Sequence, residues 1–474
     1  MKSFFEKQKF GSFISNEMDI SSGKSVDHPC FVTKKPWKTC QHVTKEQVKL
    51  ACASAKKASI ELKNLTAYEK SALLIKTADL LRANKAYLAE IITREMGKPI
   101  TESFGEVEYT ASYFNWYAGE VVRIFGLEIP SRTKKKKIRV SFEPIGPCYF
   151  VTPWNFPLCM AGRKVSAALA ASCPSINKPC TEAPITKLAL AYIIKKAGWP
   201  SGSFNVLIGD HDVINSILLP SRDIKKVSFT GSVAIGKYLY KESIETLKKV
   251  TLELGGNAPF IVFEDANQIK AADELILSKF RNSGQSCVCA NRILVHKNIL
   301  DDFLEKVVAR AKMLNVGNPF EEETQISTHR HPNSDKKAIA IIEDAIKKGA
   351  KRHLNSKAPY EPEVLTNVTK DMLAFQEESF SPIVPIMTFA TIDEAITLAN
   401  HTNYGLAAYV FTESIKTASY ATENLEFGMI GLNDGLPSAA ELPFGGIKDS
   451  GFGREGGPSG IYEFLYTKSI SMKL

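Results

Sequence analysis

The sequence contains no run of about 18 apolar residues, the length a helix needs to cross a bilayer, so no membrane-spanning protein is expected. Met1 to Phe10 mix lysine with Glu6 instead of presenting a charged start and an apolar centre, which argues against a secretory signal. The nine cysteines (Cys30, Cys40, Cys52, Cys148, Cys159, Cys173, Cys180, Cys287 and Cys289) include no CxxC pair and no regular secreted-type framework. Reduced thiols in a cytoplasmic setting are therefore expected. The eight histidines show neither HxxxH nor a Cys/His zinc spacing, so no metal site is expected. The formal charge of +9 is spread over 474 residues, and its densest run is Lys134 to Lys137, followed by Ile138 and Arg139. Without a clustered basic face or a recognisable module, nucleic acid is not an expected partner.

A chain of this length exceeds what one hydrophobic core usually supports, and 44% hydrophobic with 23% charged residues suits a globular protein of two or three domains. Thr44 followed by Gln47 has the pattern of a capping box. Val48, Ala51, Cys52 and Ala55 then recur at i, i+3, i+4 and i+7, which predicts a helix with one buried face. Further helices run to about residue 118. From Cys148 onward, short apolar runs at 148–151, 204–208, 227–229 and 250–252 alternate with helical stretches such as 163–171 and 185–197. This is the rhythm of parallel βαβ units, whose ligands bind beyond the carboxyl ends of the strands.

A second alternating series begins near Phe260, with helical stretches around Leu275, Phe303 and Ile341 and strands predicted at 293–295, 383–389 and 407–411. Between the early helices and the first series, residues 129–144 are polar and basic with β-branched side chains. They read as an extended arm whose exposed backbone needs a partner strand, a role another subunit can fill.

Chemistry is suggested first by Gly284-Gln285-Ser286-Cys287 taken with Glu253-Leu254-Gly255-Gly256, a candidate thiol nucleophile and a candidate carboxylate base, each beside glycines that admit a close approach to the backbone. Neither is convincing alone, since a single cysteine is more often a small buried hydrophobe and a lone glutamate a solvated surface residue. Their companions occur in one order along the chain: Pro153-Trp154-Asn155-Phe156-Pro157, Phe229-Thr230-Gly231-Ser232 with Gly236, Glu377-Glu378-Ser379-Phe380-Ser381-Pro382, and Pro443-Phe444-Gly445-Gly446. Together these motifs resemble the aldehyde dehydrogenase superfamily over about residues 44–474.

The resemblance implies an α/β fold of two doubly wound domains with a small β arm. The Rossmann-like cofactor-binding domain would comprise 1–126 and 145–252, the catalytic domain 253–440, and the oligomerisation arm 127–144 and 458–474. It also implies roles. Cys287 attacks the aldehyde carbon, Asn155 and the Cys287 backbone N–H hold the oxyanion, and Glu253 activates the water that hydrolyses the thioester. Lys164 and Glu441 match positions resembling the family's proton-relay partners for this base. The cofactor is a nicotinamide dinucleotide, with Thr152, Trp154, Ser232 and Leu254 near it, Lys178 and Thr181 at the adenosine ribose, and Glu378 with Phe380 at the nicotinamide ribose. Gly231 and Gly236 form a strand-to-helix turn, not a GxGxxG fingerprint, that lets backbone N–H groups approach a phosphate.

NAD-selective relatives often carry glutamate three residues after that lysine. Here the position is Thr181, which resembles members accepting NADP, although Glu182 follows and can compensate. NADP is expected over NAD.

The stretch Arg281-Asn282-Ser283-Gly284-Gln285-Ser286-Cys287-Val288-Cys289 resembles the succinate-semialdehyde dehydrogenase branch. Arg163, Arg281 and Ser438 resemble that branch's carboxylate clamp, and two arginine forks suit the second anion of a dicarboxylic semialdehyde. Glutarate or ketoglutarate semialdehyde remain alternatives. Cys289 is either a packing residue or, as in relatives with the Cys-Val-Cys arrangement, the partner of Cys287 in a reversible disulfide. A homodimer or homotetramer is implied by the family and by the arm.

The competing classes are a CoA-acylating dehydrogenase, which typically lacks the carboxylate at Glu253, a Cys hydrolase, which needs a positioned imidazole, and a non-enzymatic protein keeping the fold. Two regions depart from the family pattern: the segment before Thr44, with Asp27-His28-Pro29-Cys30 and Lys35-Pro36-Trp37, and the loops at 327–331 and 354–358, which lack the expected glycines.

Overall fold

The computed structural model describes residues 1–21 and 23–473. The helix Lys45–Asn64 starts as its sequence predicts: Thr44 Oγ1 accepts the Gln47 N–H at 3.4 Å, Gln47 Oε1 accepts the Thr44 N–H at 2.9 Å, and Val48, Ala51, Cys52 and Ala55 are buried. Such a cap is worth about 1 kcal/mol. Two deeper helices have no cap of their own and borrow one. The Glu106 carboxylate accepts the N–H groups of Leu158 and Cys159 (2.8 and 3.1 Å) at the head of Cys159–Ala170. Glu95 does the same for Ile185 and Thr186 (2.6 and 2.9 Å) at the head of Pro184–Ala197. Both carboxylates are buried, so they complement orphan donors where water cannot.

Among the described residues, the larger sheet has eight strands in the order Gly451–Phe452, Lys249–Glu253, Lys226–Thr230, Cys148–Thr152, Ser175–Pro179, Phe204–Val206, Ser12–Ile14 and Glu17–Asp19. The five strands from Lys249–Glu253 to Phe204–Val206 are parallel, and the outer pairings are antiparallel. Cys148–Thr152, first of the five in the chain, lies between the second and the fourth. The strand order reverses there and leaves a crevice beyond its carboxyl end.

A second sheet of seven strands runs Lys351–Arg352, Glu363–Thr366, Ile383–Phe389, Ala290–His296, Ala258–Val262, Ala407–Phe411 and Met429–Leu432, parallel except at its first pair. Glu253 ends a strand of the larger sheet and Ala258 begins one of the smaller, so carboxyl ends of one face amino ends of the other.

The basic segment forms the strands Leu127–Ile129 and Lys136–Pro144. The latter is the middle strand of a three-stranded antiparallel sheet with Leu465–Lys473. Its backbone partner is thus the chain's own C-terminal strand, which sequence separation had hidden. Lys134 and Lys135 sit in the turn of this hairpin, exposed. No helix among the described residues is long and apolar enough to cross a membrane, and all nine cysteines are free thiols.

Candidate active site

Two glycine-bearing motifs cross where the sheets meet. A Cβ on Gly256 would collide with the Cys287 carbonyl oxygen, so only glycine lets the segment after Glu253 pass over the segment carrying the thiol. The crossing closes one end of a cavity of about 370 Å³ lined by Trp154, Asn155, Thr230, Gly231, Ser232, Glu253, Leu254, Cys287, Glu378 and Phe380, among others. Residues far apart in sequence are brought together here by strand ends: 153–155 follow one strand of the larger sheet, 231–232 the next, and 253–255 a third.

Cys287 is half-buried, and burial pushes its thiol up to about 12, with Arg163 pulling it down and the Glu378 and Glu253 carboxylates pushing it further up. The resting thiol is therefore protonated and needs a base. Asn155 is buried beside it: its Nδ2 donates to the Gln285 carbonyl at 3.2 Å and its Oδ1 accepts the Phe156 N–H at 3.1 Å, which fixes the amide and leaves one N–H of Nδ2 for an oxyanion.

Glu253 is 2% exposed and neither carboxylate oxygen has a hydrogen-bond partner among the described residues. Burial, reinforced by the anion of Glu455, holds its carboxyl well above the ordinary range, while Arg163, Lys164 and Arg454 pull the other way. Glu253 thus combines unused lone pairs with raised basicity on the wall of the cavity that holds the thiol, properties a general base requires.

Glu441, expected as a relay partner of this base, is not among the groups whose charge it feels. That residue is exposed, on the turn before Pro443. Lys164 instead pairs with Glu455, which also takes Arg163, and all three are buried. Lys164 Nζ donates to Ser228 Oγ as well (2.9 Å), and Thr251, two residues before Glu253, donates to the same oxygen at 3.0 Å. Burial would raise the Glu455 carboxyl, but the two cations outweigh it and hold it below its usual value. The signal was present in the sequence: Glu455 stands among Gly453, Gly456 and Gly457, all at positive φ (90°, 69° and 57°), the same lone-acid-among-glycines pattern that marked Glu253.

The remaining expected dinucleotide residues divide. Glu378 Oε1 accepts the Gly256 N–H at 3.0 Å, and burial pushes its carboxyl up to about 7. Phe380 holds a left-handed φ of 52° and meets Trp154 edge-on at 5.8 Å, a strained conformation that keeps its ring on the cavity wall. Lys178, within the strand Ser175–Pro179, lines a second cleft of about 430 Å³ with Tyr149, Val151, Asn215, Tyr238 and Leu239. This cleft combines apolar walls and one buried ammonium with the exposed side chains of His211 and Asp212.

Three assignments change. Gly236 lies inside the helix Val233–Ile244, where its N–H donates to the Ser232 carbonyl. A Cβ there would sit 2.6 Å from Leu254 Cδ2, so this glycine admits a packing contact and offers no free donor to a phosphate. Thr152 is buried and its hydroxyl is shared with the Asn177 side chain (3.2–3.3 Å), so it ties two strands together and lines neither cleft. Glu182, next to exposed Thr181, is turned to His331 (3.2 Å), although its charge and that of Asp210 are still felt at Lys178 and Asp212 lines the same cleft.

A further cavity of about 610 Å³ holds Arg281 and Ser438 with Glu102, Tyr109 and Phe280. Arg163 is not on its wall. It is stacked on Phe444 (4.1 Å) and paired with Glu455, yet its Nη1 and Nη2 have no partner among the described residues. It lies between the two spaces, since its charge reaches both Cys287 and Tyr109. Cys289 is buried, its Sγ 3.3 Å from Lys279 Nζ, which also donates to Ser379 Oγ at 3.2 Å.

The chain is similar to known proteins over nearly its whole length. It is 42% identical to the mitochondrial succinate-semialdehyde dehydrogenase of Oryza sativa subsp. japonica, over 96% of this chain and 88% of the relative. It is 39% identical to the glutarate-semialdehyde dehydrogenase of Pseudomonas putida, over 98% of both. The crystal structure of an aldehyde dehydrogenase from Brucella melitensis biovar abortus 2308 superimposes with a TM-score of 0.97 at 40% identity, covering 100% of this chain and 98% of that one. With the aldehyde dehydrogenase family profile matching residues 19–470 as well, the chain belongs to the aldehyde dehydrogenase family.

Proposed function

We propose that this aldehyde dehydrogenase oxidises succinate semialdehyde, or a closely related dicarboxylic semialdehyde, to the acid through a thioester on Cys287. The Cys287 thiol gives its proton to solvent water as its sulfur adds to the aldehyde carbon, and the oxyanion sits between the Asn155 amide and the Cys287 backbone N–H. A bound nicotinamide dinucleotide supplies the hydride acceptor. As the carbonyl re-forms, the acyl group remains on sulfur. Glu253 then takes a proton from water, whose oxygen attacks the thioester and expels the thiolate. The presence of Glu253 favours hydrolysis over transfer to a thiol acceptor such as CoA.

The observation that carries the substrate assignment is a pair of arginines: Arg281 on the wall of a cavity with Ser438, and Arg163, whose charge is felt at Cys287, buried with two unpartnered nitrogens. Unused guanidinium donors in a desolvated site want an anion, and each charged hydrogen bond is worth about 1.5–3 kcal/mol. Chain length is the softer part, because one methylene shifts discrimination by only about 1–3 kcal/mol.

The test is steady-state reduction of the dinucleotide with a panel of ω-semialdehydes and neutral aldehydes of similar size. Arg281→Ala is expected to lower kcat/KM for succinate semialdehyde by about 10- to 100-fold, from the loss of one such bond, and to spare the neutral aldehydes. Equal losses on both would reject the clamp. Run with both cofactors, the same assay is expected to give the higher kcat/KM with NADP. The reasons are buried Lys178, neutral Thr181 and the diversion of Glu182 to His331. A strong NAD preference would reject that reading.

A homodimer or homotetramer is the assembly we favour, because the nine-residue strand Leu465–Lys473 leaves an unpaired outer edge on its sheet among the described residues. Elution as a monomer at micromolar concentration would count against it.

A further inference from the structure

The backbone just ahead of the thiol winds the wrong way. Asn282, Ser283 and Gly284 are consecutive residues at φ 53°, 55° and 78°. For the two non-glycine residues the left-handed conformation costs about 1–2 kcal/mol each, so it persists only where surrounding contacts over-determine it.

Each residue of the turn is held by a different element. Gly284 lies against backbone, where a Cβ would be 2.5 Å from the Ser381 carbonyl carbon. Ser283 Oγ accepts the Ser327 N–H at 3.0 Å, and Gln285 Oε1 accepts the Arg330 N–H at 2.9 Å. These last two donors belong to the 327–331 loop that lacks the family's expected glycines, and this loop thereby braces the thiol loop. Asn282 Nδ2 donates to the Asn155 and Gln285 carbonyls, both at 3.0 Å.

The first N–H of the turn is left, and Glu102 takes it. Its Oε2 accepts the Asn282 N–H at 2.7 Å, from the helix Ile100–Glu120 across the interface between the early helices and the second sheet. Glu102 lies on the wall of the cavity that holds Arg281, and its charge is felt there and at Lys98.

We propose that Glu102 is a positioning residue for the reaction: by accepting the Asn282 N–H it locks the left-handed turn that aims Cys287 at the aldehyde carbon and Arg281 at the cavity. This rests on Cys287 being the nucleophile. The Coulombic effect on Arg281 is separable from the hydrogen bond, because glutamine keeps an accepting oxygen and removes the charge.

The decisive measurement is the pre-steady-state burst of reduced dinucleotide, whose amplitude counts competent sites and whose rate reports the attack per site. Glu102→Ala is expected to slow the burst roughly 10- to 100-fold, the scale of an ångström-sized misplacement, with the ratio of KM values for semialdehyde and neutral aldehyde unchanged. Glu102→Gln is expected to restore most of the rate. Ser283→Ala, which removes an acceptor from the same turn at a buried site away from the arginine, is expected to slow the burst in the same way even if Glu102→Ala folds poorly.

A wild-type burst rate in Glu102→Ala or in Ser283→Ala overturns the proposal. So does a Glu102→Gln variant as slow as Glu102→Ala with the defect confined to anionic substrates. A burst that survives Cys287→Ala would instead mean that the nucleophile has been misassigned.

Discussion

Glu253→Gln is expected to give a single turnover: one equivalent of reduced dinucleotide per active site, then a steady state slower by about 10²–10⁴-fold, the contribution typical of a positioned general base. Glutamine preserves the shape of the site and the contacts of the segment that passes over Cys287, so binding and thioester formation lose little, while water lacks its base. The wild-type hydrolytic rate is expected to climb with pH well above the range in which an ordinary carboxylate titrates, because only ionised Glu253 can accept the proton and burial holds that ionisation high.

The same displacement has a stability sign. A carboxyl whose folded pKa lies above its unfolded value binds its proton more tightly when folded. It therefore costs stability as pH rises from the unfolded pKa through the folded one. Glu253→Gln should consequently be more stable than wild type at neutral pH, with the difference vanishing in acid. A variant that loses the burst together with the steady state would show that Glu253 is needed for attack itself, and rapid-quench detection of the acyl-enzyme distinguishes the two.

Much of the fold was legible because the larger sheet is buried on both faces and writes itself as short apolar runs between helices. In the second sheet, too, the strands Ile383–Phe389 and Ala407–Phe411 fall where the pattern puts them. The N-terminal strands Ser12–Ile14 and Glu17–Asp19 were not legible, since two- and three-residue edge pairings carry too little periodicity to read. The partner of Lys136–Pro144, Leu465–Lys473, lies more than 300 residues away and was not legible in the local pattern; only the family resemblance grouped the two segments in one arm.

At the site, residues on the cavity wall carried recognisable motifs, whereas the residues that position them did not. Glu95, Glu102 and Glu106 each act by accepting main-chain N–H groups of a distant segment. A backbone donor has no residue type, so nothing in the partner's sequence advertises the contact. Glu441 misled for the related reason that proximity in sequence to Pro443-Phe444 stands in poorly for proximity in space. Glu455 reaches Phe444 through a bridge of paired backbone hydrogen bonds (2.6 and 2.8 Å) that returns the chain after a glycine-rich excursion.

Glu455→Gln carries the largest expected cost in stability. In wild type this carboxylate neutralises two buried cations at once, Arg163 and Lys164. Glutamine can still accept a hydrogen bond, but it leaves both charges in a desolvated site, and breaking a buried pair by removing one partner typically costs about 3–5 kcal/mol. Because the folded pKa of Glu455 is depressed, its contribution is present above the ordinary carboxylate range and is lost as pH falls through the folded value. Denaturant midpoints of the two proteins should thus differ most near neutrality and converge in acid.

The catalytic consequence runs the other way from a simple loss. Removing Glu455 deletes the anion that pushes Glu253 up and keeps the cations that pull it down, so the surviving hydrolytic rate should reach its plateau at a lower pH than in wild type. Unchanged stability would mean that water or another anion already neutralises the arginine and lysine. An unshifted pH profile would mean that the base at Glu253 is insulated from the pair it faces.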